Sequence, residues 1–432
     1  MQTIEQLQSG KLKGVTSIKL SCNLTEFPEE LFQLADTLEF LDLSGNKLSS
    51  LPPDFKKFKK LKIAFFSDNL FTELPEVLAE CPLLEMIGFK ANAISIVSEK
   101  AISKNIRWLI LTNNKITQLP QSIGYCTRLQ KVALAGNLIS ELPATMANCQ
   151  NIELLRVSAN QLQEIPTWLW KLPKLRWLAY ADNPCSLHAV SKTNISPISW
   201  ADITLNKQLG EGASGHIYKA QFNRGNEKTV AVKIFKGDVT SDGLSQSEMN
   251  ACLSAGNHPN LVTLVGELAH HPEQKKGLVL ALIPESFYNL GLPPSYSTCT
   301  RDTFLPSTTF TTQAINSITQ QIASVMAHLH NLGIMHGDLY AHNIMIDARN
   351  KALLGDFGAA TLYDANSKNA LAHQLLDVRA FGCLIDDLLQ QAIEPTNDTL
   401  LQNKLQLISQ DCMRCSNDKP ITFNQLIQKL NL

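Results

Sequence analysis

No stretch of the 432-residue chain reaches the roughly 18 consecutive apolar residues that a spanning helix needs, which argues against a membrane-spanning receptor. The opening residues, MQTIEQLQSGKLKG, lack the apolar core of a secretion signal. Charge of either sign is not in excess: 38 Lys and Arg against 39 Asp and Glu leave a net charge of −1. Nothing therefore pulls the whole chain toward nucleic acid or an anionic membrane. The ten cysteines lack the dense spacing of a disulfide framework and read as reduced thiols in a cytoplasmic compartment. Cys412-Met413-Arg414-Cys415 is a lone C-x-x-C without a second pair, so it reads as packing in a late helix rather than a metal or redox site. What remains is an ordinary globular composition, long enough for two or three domains with cores of their own.

The first half repeats itself. Its unit is clearest in Leu38-Glu39-Phe40-Leu41-Asp42-Leu43-Ser44-Gly45-Asn46-Lys47-Leu48-Ser49-Ser50-Leu51-Pro52. The asparagine returns as Asn69, Asn92, Asn114, Asn137, Asn160 and Asn183, in steps of 23, 23, 22, 23, 23 and 23 residues. The proline returns as Pro75, Pro120, Pro143 and Pro166, with Ser98 breaking the series, and a shortened copy precedes at Leu20 to Pro28. Apolar spacing follows L-x-x-L-x-L rather than the 3.6-residue helical period, which removes an amphipathic helical array. Period, leucines and asparagine together resemble the leucine-rich repeat. About eight repeats, caps included, are expected over residues 1–185 as an α/β solenoid.

Each copy should contribute a short strand with inward leucines, and its asparagine should pair backbone groups stranded in a buried turn. Cys81, Cys126 and Cys149 recur between copies as small buried fillers would. One strand position reads Phe40, Ile63, Met86, Trp108, Lys131, Leu154, Trp177 down the stack, and six of those seven are apolar. Either these side chains belong to the core, or the column is a concave face that docks a protein partner or the chain's own second half.

Residues 186–199 are short, polar and rich in Ser and Thr, as a linker would be. Beyond them, Leu209-Gly210-Glu211-Gly212-Ala213-Ser214-Gly215 carries G-x-G-x-x-G. Alone this pattern also fits dinucleotide sites, but His216-Ile217-Tyr218-Lys219-Ala220 continues as a strand rather than opening a helix, which favours a hairpin over phosphates. Val230-Ala231-Val232-Lys233-Ile234-Phe235 then sets one lysine in an apolar strand. Further on come His336-Gly337-Asp338-Leu339-Tyr340-Ala341-His342-Asn343 and Gly355-Asp356-Phe357-Gly358. A carboxylate, an amide five residues on and a second carboxylate are what metal-assisted phosphoryl transfer asks for.

These motifs, in this order, resemble the protein kinase family, and the later segments resemble its tyrosine-kinase-like branch. The resemblance implies an α+β bilobal domain over 200–432 that uses ATP and Mg²⁺. It makes Asp338 the base at the acceptor hydroxyl, Asn343 and Asp356 the metal ligands, and Lys233 the residue on the phosphates, oriented by a helical glutamate. Glu248 is the only acid in the helix-like stretch from Gly243 to Gly256, which makes it the candidate. Ile217, Ala231, Leu280, Leu282 and Met345 would line the adenine site. Residues 285–312, rich in Pro, Ser and Thr, should be loop, and Ala314 to Leu332 an amphipathic helix.

The departures from the family are informative. Gly337 stands where an arginine usually couples the catalytic loop to a phosphorylated activation segment, and Tyr340 where serine/threonine kinases carry a lysine. The activation segment is shortened: Asp356 and Asp377 are only 21 residues apart, no Ala-Pro-Glu lies between them, and Lys419-Pro420 falls where its arginine partner belongs. Asp377 resembles the residue that ties down the catalytic-loop backbone. The reading is an ATP-dependent protein kinase, acting on Ser, Thr or Tyr, whose repeats recruit substrate or regulator. The alternatives are a small-molecule phosphotransferase and a nucleotide-binding pseudokinase scaffold.

Overall fold

The computed structural model describes residues 2–187, 196–212, 214–224, 228–237, 239–240, 242–393 and 399–431. Two compact units emerge: Met1–Lys174 with Asn183–Cys185, and Leu175–Asp182 with Ser186–Leu432. Ala213 and most of the expected linker, 188–195, lie outside the described residues.

The first unit opens on a short helix, α1 (Ile4–Gln8), whose Thr3 and Gln6 form a reciprocal capping box. Seven three-residue strands follow: β1 (Ser17–Lys19), β2 (Phe40–Asp42), β3 (Ile63–Phe65), β4 (Met86–Gly88), β5 (Trp108–Ile110), β6 (Lys131–Ala133) and β7 (Leu154–Arg156). They pair in parallel and in sequence order. The central residue of each strand (Ile18, Leu41, Ala64, Ile87, Leu109, Val132, Leu155) is almost wholly buried, since alternation along a strand sends it to the core. A ladder of phenylalanines continues that core: Phe55 meets Phe66, Phe66 stacks on Phe89 with centroids 5.0 Å apart, and Phe71 abuts Phe89 edge-on.

Opposite the strands, 3₁₀ turns begin right after Pro28, Pro52, Pro75, Pro120 and Pro143, with φ at these prolines between −55° and −69°. Proline fixes the entry angle of the turn. Where Ser98 replaces it, no 3₁₀ helix forms among the described residues between Val97 and Trp108. The asparagines close the other corner. Asn137 donates through Nδ2 to the carbonyls of Leu111 and Leu134 and accepts from the Ile116 amide. Asn69, Asn114 and Asn160 repeat this with their own neighbours. The residue just before the asparagine is left-handed in each copy: Gly45, Asp68, Ala91, Asn113, Gly136, Ala159 and Asp182 all have positive φ. Only two of these are glycine, so the bonds made by the asparagine hold a turn that the preceding side chain disfavours.

Cys81, Cys126 and Cys149 are buried, and their thiols reach the carbonyls of Phe55, Ser103 and Ile123. The apolar column is less available than its sequence suggests. Phe40 and Ile63 are half-buried, but Met86, Trp108 and Leu154 are 1%, 9% and 5% exposed. Side chains on adjacent strands cover one another, as where Lys131 Nζ lies 4.2 Å from the centre of the Trp108 ring.

The second unit includes β8 (Trp177–Ala179), although the repeat period assigns that strand to the last copy. Its sheet contains β9 (Ile198–Ser199), β10 (Ile203–Glu211), β11 (Gly215–Phe222), β12 (Lys228–Phe235), β13 (Leu264–Ala269) and β14 (Gly277–Ala281), in the order β10-β11-β12-β14-β13-β9. Ala220, Val230, Val232, Ile234, Leu268 and Val279 form its core. α2 (Ser245–Ala255) packs Met249 against Phe235 and Leu278. A helical part follows, with α3 (Thr312–Asn331), α4 (Ala370–Leu389), α5 (Thr399–Met413) and α6 (Phe423–Asn431). Ile315, Ile318, Ile322, Val325, Met326 and Leu329 of α3 are all buried, as their spacing implies. Cys412 and Cys415 are buried too, and burial pushes the Cys415 thiol up to about 11, so the pair packs as protonated thiols.

Asn137→Ala should strand buried carbonyls and an amide at about 1–3 kcal/mol for each group. Urea unfolding should therefore show a clear loss for Asn137→Ala and almost none for Leu138→Ala, since Leu138 is 47% exposed.

Candidate active site

β10 and β11 form an antiparallel hairpin whose tip is closed by the Gly212 amide donating to the Gly215 carbonyl at 2.9 Å. Gly215 also lets β12 approach closely, because a Cβ there would lie 2.6 Å from the Ile234 carbonyl oxygen. Glu211 at the tip is tied to Lys236. Leu209, Gly210 and Ser214 surround the loop, with Leu209 46% exposed at its edge. In the strands behind it, Lys233 pairs in register with Ile217, and Ala231 with Leu280. Leu282 follows β14, and Met345 pairs with Asn289 and Leu353 on a small strand layer.

Lys233 points from β12 to Glu248 on α2, and its ammonium bonds the carboxylate directly. Both groups are buried, at 9% and 2% exposure, so each needs the other. Burial works against the Lys233 ammonium, but Glu248 and Asp356 more than offset it and hold its pKa above the usual lysine value. Burial pushes the Glu248 carboxyl up to about 7, although the Lys233 ammonium draws it down.

The catalytic-loop motif is assembled around one carboxylate. Asp377 on α4 is wholly buried and accepts the amides of His336 and Gly337, both at 2.9 Å, together with His330 Nε2. The Asp338 amide donates to His336 Nδ1, which leaves Nε2 as the donor to the Gly355 carbonyl at 3.1 Å. The 336–338 turn is thereby joined to the Gly355-Asp356-Phe357-Gly358 segment. Asn343 spends its amide hydrogens on Asp338, donating to the backbone carbonyl at 2.9 Å and to Oδ2 at 2.8 Å. Its own Oδ1 is the atom of that side chain able to ligate a cation. Asp356 is exposed and left-handed, at φ 53°, with Oδ1 accepting the Gly358 amide. A Cβ on Gly358 would lie 3.2 Å from Asp356 Oδ1 and 3.7 Å from Glu248 Oε2, so that glycine sits between the two carboxylates. The arrangement can place an ammonium, a carboxylate and an amide oxygen around one polyphosphate, with Asp338 partly accessible for the acceptor.

Two supports are not readable from motif or period. Asp302 accepts from both the backbone amide and Nδ1 of His342, at 3.0 and 2.7 Å. Burial disfavours the His342 imidazolium, but Asp302 overrides it and holds the ring's pKa above its ordinary value. Arg301 bridges Asp386 and Asp387 of α4. Up to Thr312, where α3 begins, the segment from residue 285 has no helix and only one two-residue strand, as composition suggests, yet Cys299, Thr300 and Asp302 within it are buried. The third-party contact to Tyr340 comes from Trp177, whose ring lies 4.5 Å away at an interplanar angle of 9°.

Comparison with known families gives a match to the protein kinase domain over residues 203–382 and to the leucine-rich repeat over residues 37–58. The chain thus contains a region similar to the protein kinase domain and one similar to the leucine-rich repeat. It is similar to fibroblast growth factor receptor 1 of Xenopus laevis, with 24% identity over 284 residues, covering 53% of this chain and 34% of the receptor. It is also similar to Fer-related kinase 1 of Caenorhabditis elegans, with 25% identity over 224 residues, covering 48% of this chain and 52% of that kinase. The chain thus spans from a third to a half of the length of these relatives.

Replacing Lys233 with Met should leave Glu248 buried without its cation. Isothermal titration with Mg-ATP should show affinity falling about 10-fold or more, whereas Lys236→Met, at the exposed loop pair, should stay within about twofold.

Proposed function

We propose that this protein transfers the γ-phosphoryl group of ATP to a hydroxyl on a protein. In this reading Asp338 accepts the proton of the acceptor, which leaves as the oxygen attacks phosphorus and ADP departs. Lys233, set by Glu248, holds the α- and β-phosphates, and the amides of the 209–215 hairpin cover them. The adenine ring lies among Ile217, Ala231, Leu280, Leu282 and Met345. The observation that carries the reading is the hydrogen bonding of Asn343 to both the backbone and the carboxylate of Asp338, beside the Asp356 segment. The residue read as the base and one of the two read as metal ligands are thus in direct contact, which supports the reading.

Mg²⁺ suits this donor set. Among the described residues no three His, Cys, Asp or Glu side chains form a metal cluster. A carboxylate and an amide oxygen are hard ligands of the kind Mg²⁺ takes. When bound, it neutralises phosphate charge. Asp356 and Asn343 would hold it.

The first unit is a candidate surface for substrate or regulator, at the end where Phe40 and Ile63 remain partly accessible. Tethering the acceptor there would raise its effective concentration at the active site. No helix among the described residues is long and apolar enough to cross a membrane. The free thiols suit a cytoplasmic setting.

Incubation with Mg-ATP followed by intact-mass analysis should add phosphoryl groups to the protein or to a general protein acceptor. Asp338→Asn should slow this about 100- to 10,000-fold while retaining nucleotide affinity. Nucleotide binding without transfer to any protein, by the unaltered chain, would refute the kinase reading.

A further inference from the structure

Gly337 has a left-handed backbone, φ +70°, and is closed in on two sides. A Cβ at that position would fall 2.5 Å from the Leu178 carbonyl oxygen and 2.8 Å from that of Ala359. The first of these belongs to Leu175–Asp182, which groups with the second unit although the repeat period assigns it to the first. The same segment touches the catalytic loop again two residues on. Trp177 lies flat on Tyr340 and donates Nε1 to the Leu339 carbonyl at 3.2 Å. Trp177 and Tyr340 are 1% and 5% exposed, so the stack is dry.

The contacts reach past the loop. His373 on α4 bonds the Asn369 carbonyl through Nδ1, so its Nε2 is the acceptor for the Tyr180 hydroxyl at 2.6 Å. Arg379 on α4 donates to the Leu175 carbonyl at 3.1 Å. At the other end, the Ser247 hydroxyl bonds Asp182, and Ser247 immediately precedes Glu248 on α2. Eight consecutive residues thus fasten the loop that carries Asp338, the helix that carries Asp377 and the helix that carries Glu248.

From these contacts we infer that Leu175–Asp182 is a built-in clasp that positions the catalytic loop, with Trp177 as its principal positioning residue. Trp177 makes no contact with the reacting atoms; it acts through Leu339 and Tyr340, on the residues flanking Asp338. Glycine at 337 is required by the clasp as well as by the left-handed turn and Ala359, since a side chain there would collide with the Leu178 carbonyl. The loop is held by contacts present in the folded chain itself, so the unit needs no added phosphate to set Asp338. This conclusion about catalysis rests on the kinase reading, whereas the clasp as a structural device does not.

Hydrogen exchange and steady-state kinetics on the full chain, with Mg-ATP and a general protein acceptor, test the two parts separately. Trp177→Ala should raise exchange of the 336–343 amides about 10-fold or more while β12 stays protected. It should lower kcat for phosphoryl transfer about 10- to 100-fold with KM for ATP nearly unchanged. Trp177→Phe keeps a stacking ring and loses the bond to Leu339, so it should fall between the alanine variant and the native chain. Gly337→Ala should reproduce the loop exchange of Trp177→Ala, by driving the clasp off. Native-like exchange at 336–343 in both Trp177→Ala and Gly337→Ala would overturn the clasp. So would a loss in Trp177→Ala that lies in KM for ATP rather than kcat. Raised loop exchange in a protein whose native form transfers no phosphate would uphold the clasp and overturn the kinase reading instead.

Discussion

Asp377 carries a carboxylate with no access to water, and everything near the candidate base is arranged to satisfy it. Its two oxygens receive the amides of His336 and Gly337 and the imidazole of His330. Hydrogen bonds to a charged group contribute about 1.5–3 kcal/mol each, and an unmatched buried charge costs several kcal/mol. Two of the three donors are backbone groups of the turn that leads into Asp338. The loop therefore cannot shift without leaving the carboxylate short, and the position of Asp338 is inherited from the packing of α4. Burying an acid at the foot of the loop is thus a way to convert core packing into active-site geometry.

The same device recurs in the first unit, with amides in place of charge. A short parallel strand ends in a buried turn whose carbonyls would be orphaned, and an asparagine from the turn bonds two of them and an amide of the preceding copy. Because each asparagine bridges adjacent copies, the copies depend on one another, as expected of a one-dimensional stack. Leucine spacing supplies the apolar surface. The amide decides which turn that surface can be joined by.

Sequence made legible what is periodic or local. The 23-residue step placed the strands, and the run of apolar positions in Ala314 to Leu332 placed α3. Lys233 and Glu248 could be paired because one lysine and one acid stand in their segments; the structure brings them together. What stayed hidden depends on long-range closure. Asp302 lies in a Pro-, Ser- and Thr-rich stretch that composition marks as loose, yet it is buried against His342, 40 residues away. Whether the column from Phe40 to Leu154 is core or open face could not be decided from sequence, because a list of strand positions carries no information about what covers them. Trp108 and Phe40 occupy equivalent registers but differ in exposure through their neighbours.

Gly337 shows how a local departure and a distant segment can be one feature. Read along the chain, it is a missing side chain beside the candidate base. In the structure the space for that side chain is occupied by the carbonyl oxygens of Leu178 and Ala359. A larger residue at 337 and a carbonyl at this distance exclude each other, whereas glycine accepts both the contact and the left-handed turn. The loop's amide bonds to Asp377 hold it from below, and the stack of Trp177 on Tyr340 holds it two residues later. Neither set of contacts alone would fix the direction of a side chain lying between them. Together they restrain the backbone on both sides of Asp338, and preorganisation of that kind lets a base act without first spending binding energy on ordering its own loop.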